Sequence, residues 1–452
     1  MKLHTIQLQN FRCFEQLTVN FDPRLTVIVA ENGIGKTTIL DAIATGFGRF
    51  LTKLPKVNGI ASRETDVRIE HDEVSAPFMS VLFEAFDQAQ NPIHWTILRK
   101  RDTTAKTAKA VAALLPPETA RIGSKQIDDY AASLTEKDVN GEAYFLPVIA
   151  YYGTNRAILD EVQRRRNYKK QFSRFDALSG ALQPDARFKA AFEWFNAMED
   201  AERRAQQERR DFDYRLPELE TVRHAMIFAL PPGFSKPRTK IRPLRFVIDR
   251  LMPDGFTRTF RLTQLSDGYR VMLGLVMDLA RRMAQANTTL APQGDRIMNP
   301  LYLPAIVLID EVDLHLHPKW QQTVLADLMR TFPAAQFIVT THSPQVLSTV
   351  KRENIRVIGL NREGTMIAEP PLAMTYGEPS GLVMHSVMQV DPQPPVQEKQ
   401  DLQRLTELVD QGDYAGDEAQ QLTQRLNTRL GPQHPQLQRL QRSIQRQKAL
   451  KA

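Results

Sequence analysis

One cysteine, Cys13, stands in a chain of 452 residues. That excludes a disulfide framework within the chain and any multi-cysteine metal cluster, and it suits a reducing compartment. Long apolar runs are missing too: Val271–Ala280 and Leu301–Ile309 reach only half of the ~18 residues that a membrane span needs. The first residues, MKLHTIQLQNF, lack the apolar core of a secretory signal. A cytoplasmic protein with no membrane contact is expected. Acidic residues are absent from Ala419 to Ala452, where Arg425, Arg429, Arg439, Arg442, Arg446, Lys448 and Lys451 supply seven positive charges. Lys and Arg number 59 against 52 Asp and Glu, so the net +7 equals that tail contribution and residues 1–418 are formally neutral. A basic excess points to nucleic acid only where it clusters, and here it clusters in the tail.

What is present is the make-up of a folded protein. Hydrophobic residues form 42% and charged residues 25% of the chain, which excludes a disordered one. The length corresponds to about three domains at ~150 residues each. Leu3, Ile6, Leu8 and Phe11 open on a strand, and Leu25–Ala30 is a short β-branched run suited to a buried strand. Directly after it come Glu31, Asn32, Gly33, Ile34, Gly35, Lys36, Thr37 and Thr38, then Ile39, Leu40 and Ile43 at helical spacing. A buried strand, a glycine-bearing loop and a helix whose first N–H groups point at an anion are the context that phosphate binding needs. Ala30 stands where the strict pattern has its first glycine, while Gly33, Gly35 and the Lys-Thr pair are intact.

Further along, strands and helices alternate, which argues for a mostly parallel sheet covered on both faces. The run from Asp160 to Arg223 is helical and charge-dense, with 14 basic and 13 acidic residues, so it is mixed rather than a basic stripe. Arg164–Lys170 (RRRNYKK) reads equally as a solvated helix face or a nucleic-acid contact. Phe192, Trp194 and Phe195 read as packing rather than base stacking. Strand character returns at Lys240–Leu251 and Thr257–Leu262. Leu265-Ser266-Asp267-Gly268-Tyr269-Arg270 then opens an apolar helix, with Ser266 placed to cap it through its hydroxyl. Ala305–Ile309 is an apolar strand that delivers Asp310 and Glu311, followed by Val312-Asp313-Leu314-His315-Leu316-His317. Another buried strand, Gln336–Thr340, leads to Thr341-His342-Ser343.

Each of these groups has a chemical role that suits it. Lys36 places a point charge by β- and γ-phosphates, and the hydroxyl of Thr37 with the carboxylate of Asp310 suits Mg²⁺. Glu311 is placed to polarise an attacking water and His342 to hydrogen-bond a γ-phosphate. His315 and His317 read as structural turn residues rather than a metal pair.

The order of phosphate loop, LSDGY, Asp310-Glu311, Asp313 and His342 resembles the ABC-type ATPases of the SMC/RecF group. LIDEVDLHLHPKWQ, FIVTTHSPQVL and LSDGYR are similar to compact bacterial AAA-type ATPases of the overcoming-lysogenization-defect superfamily. The resemblance covers roughly residues 1–50 and 240–360. It implies an α/β fold: a P-loop ABC-type ATPase head with an inserted helical arm and a C-terminal helical appendage. Its expected parts are a head lobe at 1–159, an arm at 160–235, a second head lobe at 236–390 and a basic helical tail at 391–452. It also implies ATP and Mg²⁺ as cofactors and an ATP-sandwiched head dimer. Arg12, Asn32, Gly33, Ile34, Gly35, Lys36, Thr37 and Thr38 would bind ATP, with Thr37 and Asp310 at the metal. Glu311 and His342 would be catalytic. Ser266, Asp267 and Gly268 would act in trans as the signature, and Asp313 would belong to the D-loop. Asp267 and Tyr269 depart from the transporter signature, and the Tyr151–Arg156 stretch stands where the group has its Q-loop.

Leu402, Leu405, Leu408, then Leu422, Leu426, Leu430, then Leu437, Leu440, Ile444 form three amphipathic stripes after a Pro-containing linker. The whole arrangement resembles the ATPase subunit of Septu-type and retron-associated anti-phage systems, which implies an HNH-type nuclease partner docked on residues 391–452. DNA or RNA and a retron reverse transcriptase complex are further partners that the resemblance admits. A RecF-like DNA-repair ATPase is the alternative. A fused Toprim nuclease is set aside because the tail lacks the room and the carboxylates, and a transporter ATPase because the signature and the arm differ.

Overall fold

The computed structural model describes residues 1–70, 74–101, 113–155, 172–184, 189–241, 244–287 and 299–451. The basic run Arg164–Lys170, Arg156 and most of the loop expected at 287–304 lie outside the described residues. Two compact units result, Met1–Val383 and Met384–Ala452.

The first unit is built on three sheets. β1 (Lys2–Phe11) and β2 (Phe14–Asn20) form a hairpin extended by β4 (Phe78–Phe86) and β5 (Pro92–Lys100), in the antiparallel order β2-β1-β4-β5. The sequence pattern had not separated β2 from its neighbours, because alternate exposed polar residues dilute its apolar signal. The central sheet has the order β13-β12-β3-β11-β10-β6. Its strands are β3 (Leu25–Val29), β6 (Val148–Tyr152), β10 (Ala305–Ile309), β11 (Gln336–Thr340), β12 (Ile355–Leu360) and β13 (Met366–Glu369). All neighbours run parallel except β13, which is antiparallel to β12 at the edge. Every residue of β3, β6, β10 and β11 is buried, as strands covered on both faces must be. The third sheet, β7-β8-β9, is antiparallel: β7 (Arg238–Ile241), β8 (Leu244–Leu251) and β9 (Thr257–Arg261). The sequence had read β7 and β8 as one strand; they are two, paired as a hairpin.

Helix α1 (Lys36–Thr52) follows β3 and packs by close approach. A Cβ on Gly46 would lie 2.1 Å from the Phe83 ring, and the Gly46 carbonyl accepts from the Trp95 indole at 3.2 Å. Phe83 and Trp95 stack beneath it with centroids 4.8 Å apart. Buried Gln336, at the start of β11, accepts from Leu3 N–H (2.8 Å) and donates to Leu3 C=O (2.7 Å), tying the first sheet to the central one. After α2 (Pro117–Ile122) and α3 (Lys125–Val139), the region expected as an arm carries α4 (Lys189–Arg209) and α5 (Pro217–Phe228). Phe192 and Phe195 pack on Phe246 of β8, which is the packing role expected of them. α6 (Asp267–Ala286) is almost wholly buried. α7 (Pro318–Gln321), α8 (Val324–Thr331) and α9 (Pro344–Leu347) complete the connections around β10 and β11, and α10 (Ser380–Ser386) follows β13.

The second unit contains α11 (Lys399–Asp410), α12 (Asp417–Leu430) and α13 (Pro435–Lys451), at the three positions where the apolar stripes predicted helices. Leu402, Leu405, Leu408, Val409, Leu422, Leu426 and Leu437 form its core. Arg425 pairs with Asp401 and Arg429 with Glu398, so two tail cations are matched within the unit. Arg439, Arg442 and Arg446 are exposed on α13.

Candidate functional site

The carboxyl ends of β3, β11 and β10 lie side by side, which is where an open parallel sheet presents its ligands. The loop after β3 turns through Gly33 (φ 82°) and Gly35 (φ 108°) before α1 begins. Gly35 is doubly constrained: its backbone is left-handed, and a Cβ would meet Cys13 Sγ and the Phe14 ring at 2.6 Å. Lys36 is buried, and its ammonium donates to the Ala30 carbonyl (2.8 Å) and the Glu31 carbonyl (3.0 Å). Burial lowers its pKa, against the attraction of Asp310 and Glu311. The first turn of α1 carries no acidic side chain, so its N–H groups keep their pull on an anion.

Four residues are joined by hydrogen bonds at the strand ends. Thr37 Oγ1 donates to Asp310 Oδ2 (2.7 Å) and Thr340 Oγ1 donates to Asp310 Oδ1 (2.6 Å). The Thr340 oxygen also accepts from the Glu311 N–H (2.7 Å). Thr340 can do both because β11 pairs in parallel with β10, with Val339 opposite Ile309, so the two strands end side by side. The sequence reading passed over Thr340, whose only signal was a hydroxyl at the last position of an apolar strand. Asp310 is 2% exposed, its N–H held by the Tyr152 carbonyl at 2.8 Å. Glu311 does not continue the strand: its φ of 47° turns the chain, with a strain of about 1–3 kcal/mol typical of such positions. The turn then closes through Leu314 N–H to Glu311 C=O (2.9 Å) and Leu316 N–H to Asp313 C=O (3.0 Å).

Asp313 accepts from the Thr341 hydroxyl, joining the turn after β10 to the segment after β11. His342, the next residue, is half-buried. His315 holds a left-handed backbone (φ 63°), and His317 caps α7 by accepting from Lys319 N–H at 3.3 Å. Both are turn residues, and no group of three or more His, Cys, Asp and Glu suited to a metal occurs among the described residues. Two hard oxygen donors, from Thr37 and Asp310, fit Mg²⁺, which keeps several waters and takes phosphate oxygens for the rest.

Arg12 has a partner set that the sequence did not show. Its guanidinium donates to Asp41 (2.5 Å), one to two turns along α1 from Lys36, and to Asp66 (2.9 Å). Burial lowers its pKa, but hydrogen bonds and charge from Asp41 and Asp66 outweigh that and raise it. Tyr151 also donates to Asp41 (2.9 Å); burial, then the Asp41 charge, push its phenol far up. A cleft of about 410 Å³ opens here, lined by Arg12, Asp41, Asp66, Tyr151 and Gln183 among others.

The signature residues lie against the turn after β10 and outside the Thr37–Asp310–Thr340 network. A Cβ on Gly268 would lie 3.0 Å from the His315 carbonyl oxygen. Tyr269 meets Trp320 edge-on at 4.1 Å and Phe234 at 5.6 Å, so its departure from the transporter pattern serves packing. Ser266 holds the N-cap position of α6, but its hydroxyl makes no cap hydrogen bond, contrary to the expectation from sequence. Asp267 pairs with Arg270 at 3.1 Å.

Deeper in α6, Asp278 accepts from Arg282 (2.6 Å), Arg281 (2.8 Å) and the Tyr152 hydroxyl (3.0 Å). Burial raises its pKa, but the two guanidinium charges win and hold it at about 2. Tyr152 thus contacts the Asp310 backbone with its carbonyl and the signature helix with its hydroxyl.

An AAA domain family matches residues 5–221. Over 99% of its length the chain is 27% identical to the retron Ec83 probable ATPase of Escherichia coli, covering 87% of that protein. It is also 27% identical to the retron Vc95 probable ATPase of Vibrio cholerae serotype O1 biovar El Tor, over 79% of this chain and 73% of that protein. A shorter stretch, 24% of this chain and 14% of that protein, is 34% identical to the Septu protein PtuA of Bacillus mycoides (strain KBAB4).

Proposed function

We propose, for a chain that carries an AAA domain and is homologous over most of its length to retron ATPases, that it is the ATP-binding and ATP-hydrolysing subunit of a bacterial anti-phage defence complex. The observation that supports this most is the hydrogen-bonded set Thr37–Asp310–Thr340–Glu311 at the mouth of the phosphate loop. Backbone N–H groups of Asn32, Gly33, Ile34, Gly35 and Thr38 cradle the phosphates while the Lys36 ammonium neutralises the β/γ oxygens. Thr37 and Asp310 would hold Mg²⁺, which would supply charge neutralisation for the phosphates. Glu311 orients a water and takes its proton, and His342 hydrogen-bonds the γ-phosphate. Arg12 contacts the nucleotide from beside α1, its guanidinium shared with Asp41 and Asp66. ATP lies between two heads: Ser266, Asp267 and Gly268 reach the γ-phosphate held by the opposing copy, and Asp313 links the two sites. The uncapped Ser266 hydroxyl, at a helix N-terminus, is free to donate to that phosphate.

Residues 391–452 dock an HNH-type nuclease whose activity follows head dimerisation. A retron reverse transcriptase complex, with its DNA or RNA, is a further partner in this reading. A RecF-like repair ATPase would use the same head motifs; similarity to the retron ATPase along the whole chain, tail included, favours the defence role.

Glu311→Gln tests the chemistry. It is expected to keep ATP bound and to shift the chain to a dimer in light scattering, with turnover abolished; wild-type turnover would remove Glu311 from its role. Deleting residues 391–452 is expected to leave ATP binding intact and to abolish association with a co-expressed HNH nuclease. A truncated chain that still captures the nuclease refutes the docking assignment.

A further inference from the structure

Residues 1–418 sum to zero charge, yet strand pairing gathers positive charge on one face of the β7-β8-β9 sheet. Lys240 lies directly across from Arg245, and Val247 on the central strand is flanked by Arg238 on one side and Arg261 on the other. Side chains alternate along a strand, so these four cations share a face with Asp249 and Thr259. The hydrogen bond from Thr259 to Asp249 (2.6 Å) and the Arg238–Asp249 pair (2.6 and 3.1 Å) lie on that face. The opposite face packs inward where Phe246 meets α4 and Thr239 donates to buried Glu199; towards the β8–β9 turn it carries Arg250, over the Phe234 ring, and Arg258, paired with Asp254.

On the outer face one carboxylate serves four cations. Asp249 takes Arg238, and none of Lys240, Arg245 and Arg261 has a carboxylate partner among the described residues. Like charges set directly opposite across a strand pair destabilise a sheet. Val247, on this same face, is only 2% exposed, consistent with the long arginine stems lying over it while their heads reach water. Asp249, which also feels the Lys240 charge, offsets one of the four cations, so the face keeps a positive excess that an external anion can neutralise.

We propose that this sheet face binds the phosphate backbone of a nucleic acid. Strands lie about 4.8 Å apart and alternate residues about 6.8 Å along a strand, so the cations form a grid of roughly 5–10 Å spacing. Arginine and lysine arms on that grid reach successive phosphates, whose charges neutralise the repulsion. Among the described residues the strands carry no aromatic side chain on this face, exposed Phe256 lying in the turn before β9, which favours a phosphate backbone over an acidic protein. β9 runs through residues 262–264 directly into Ser266, so a polyanion held here lies next in sequence to the signature.

The test uses the full chain and labelled duplex and single-stranded DNA and RNA oligonucleotides, titrated with and without ATP. Lys240→Glu/Arg245→Glu/Arg261→Glu is compared with Arg439→Glu/Arg442→Glu/Arg446→Glu on α13, an exposed arginine row in the second unit. The sheet variant is expected to lose at least ~10-fold in affinity and to flatten the salt dependence of duplex binding by about 2.7 in log–log slope, three phosphates' worth. The neutral triple Lys240→Gln/Arg245→Gln/Arg261→Gln, which removes the Lys240–Arg245 like-charge contact, is expected to melt no lower than the parent, whereas the Glu triple sets two carboxylates opposite each other instead. The Gln triple also keeps the test valid if the Glu triple fails to fold. The α13 variant is expected to retain binding. Binding unchanged in both sheet variants, lost only in the α13 variant, or absent from the parent on every oligonucleotide overturns the proposal; ATP turnover, measured in parallel, reads the ATPase assignment separately.

Discussion

Thr340→Val isolates the atom on which the strand ends converge. Valine matches threonine in shape and replaces only the hydroxyl, which donates to Asp310 and accepts from the Glu311 N–H. The lost bond to a carboxylate contributes about 1.5–3 kcal/mol, and an amide left without its acceptor adds on the order of 1 kcal/mol. The total, about 2–4 kcal/mol, lowers the melting temperature by a few degrees in a protein of this size. The kinetic effect is larger. Glu311 is held in a left-handed turn with that bond, and a displacement of about 1 Å in a reacting group costs ~100-fold in rate. ATP turnover is therefore expected to fall ~100-fold, with ATP affinity, which rests on Lys36 and the loop, within a few-fold of the parent. Thr340→Ser keeps the hydroxyl and should restore most of the rate. The assays are steady-state ATP hydrolysis, nucleotide binding by fluorescence and a thermal melt. A Val variant that is destabilised yet hydrolyses ATP at the parent rate refutes the positioning role. So does a Ser variant as slow as Val.

Asp278→Asn leaves Arg281 and Arg282 buried against a neutral amide, a loss of about 3–5 kcal/mol read by chemical denaturation. Because the Asp278 pKa is depressed to about 2 in the fold, its contribution is complete above about pH 4 and is lost as pH falls towards 2. Parent and variant should converge in stability over that range; parallel curves would show that the carboxylate is not the stabilising group. Cys13 reports on the phosphate loop, since its thiol donates to the Ile34 carbonyl (3.6 Å) and the chain has no other cysteine. Burial raises its pKa, so alkylation should be slow below neutral pH and quicken as pH rises. Saturating ATP should slow it several-fold, measured by mass spectrometry; an equal rate with and without ATP places the nucleotide elsewhere.

Much of the site was legible in the chain. The phosphate loop could be read because β3, the loop and α1 are contiguous, and a buried parallel strand writes its burial as an unbroken apolar run. Asp310, Glu311 and His342 followed from the same logic at the ends of β10 and β11. The three tail helices were equally plain, since their apolar stripes are local. Asp41, Asp66 and Thr340 were not legible, and of Tyr151 only its place in the Tyr151–Arg156 stretch was, not its bond to Asp41. Each acts on a residue far off in sequence, and as isolated polar residues they carry no pattern. Ser266 shows the opposite case: its N-cap position was correct, but the hydroxyl makes no cap bond, because residue type sets a preference while the rotamer is set by surroundings.

Sequence by itself determined which side chains follow the apolar strands and the sum of the charges, zero up to residue 418 and +7 beyond it. Only the tertiary structure decided where those charges stand. In the tail it pairs Arg425 and Arg429 with acids of α11 and leaves the α13 arginines exposed. In the nominally neutral part it sets Lys240 across from Arg245. It also pairs β11 with β10, so that one hydroxyl serves both Asp310 and Glu311. Composition adds charges without regard to place, whereas strand pairing sets residues distant in sequence about 5 Å apart, where repulsion and hydrogen bonding are strong.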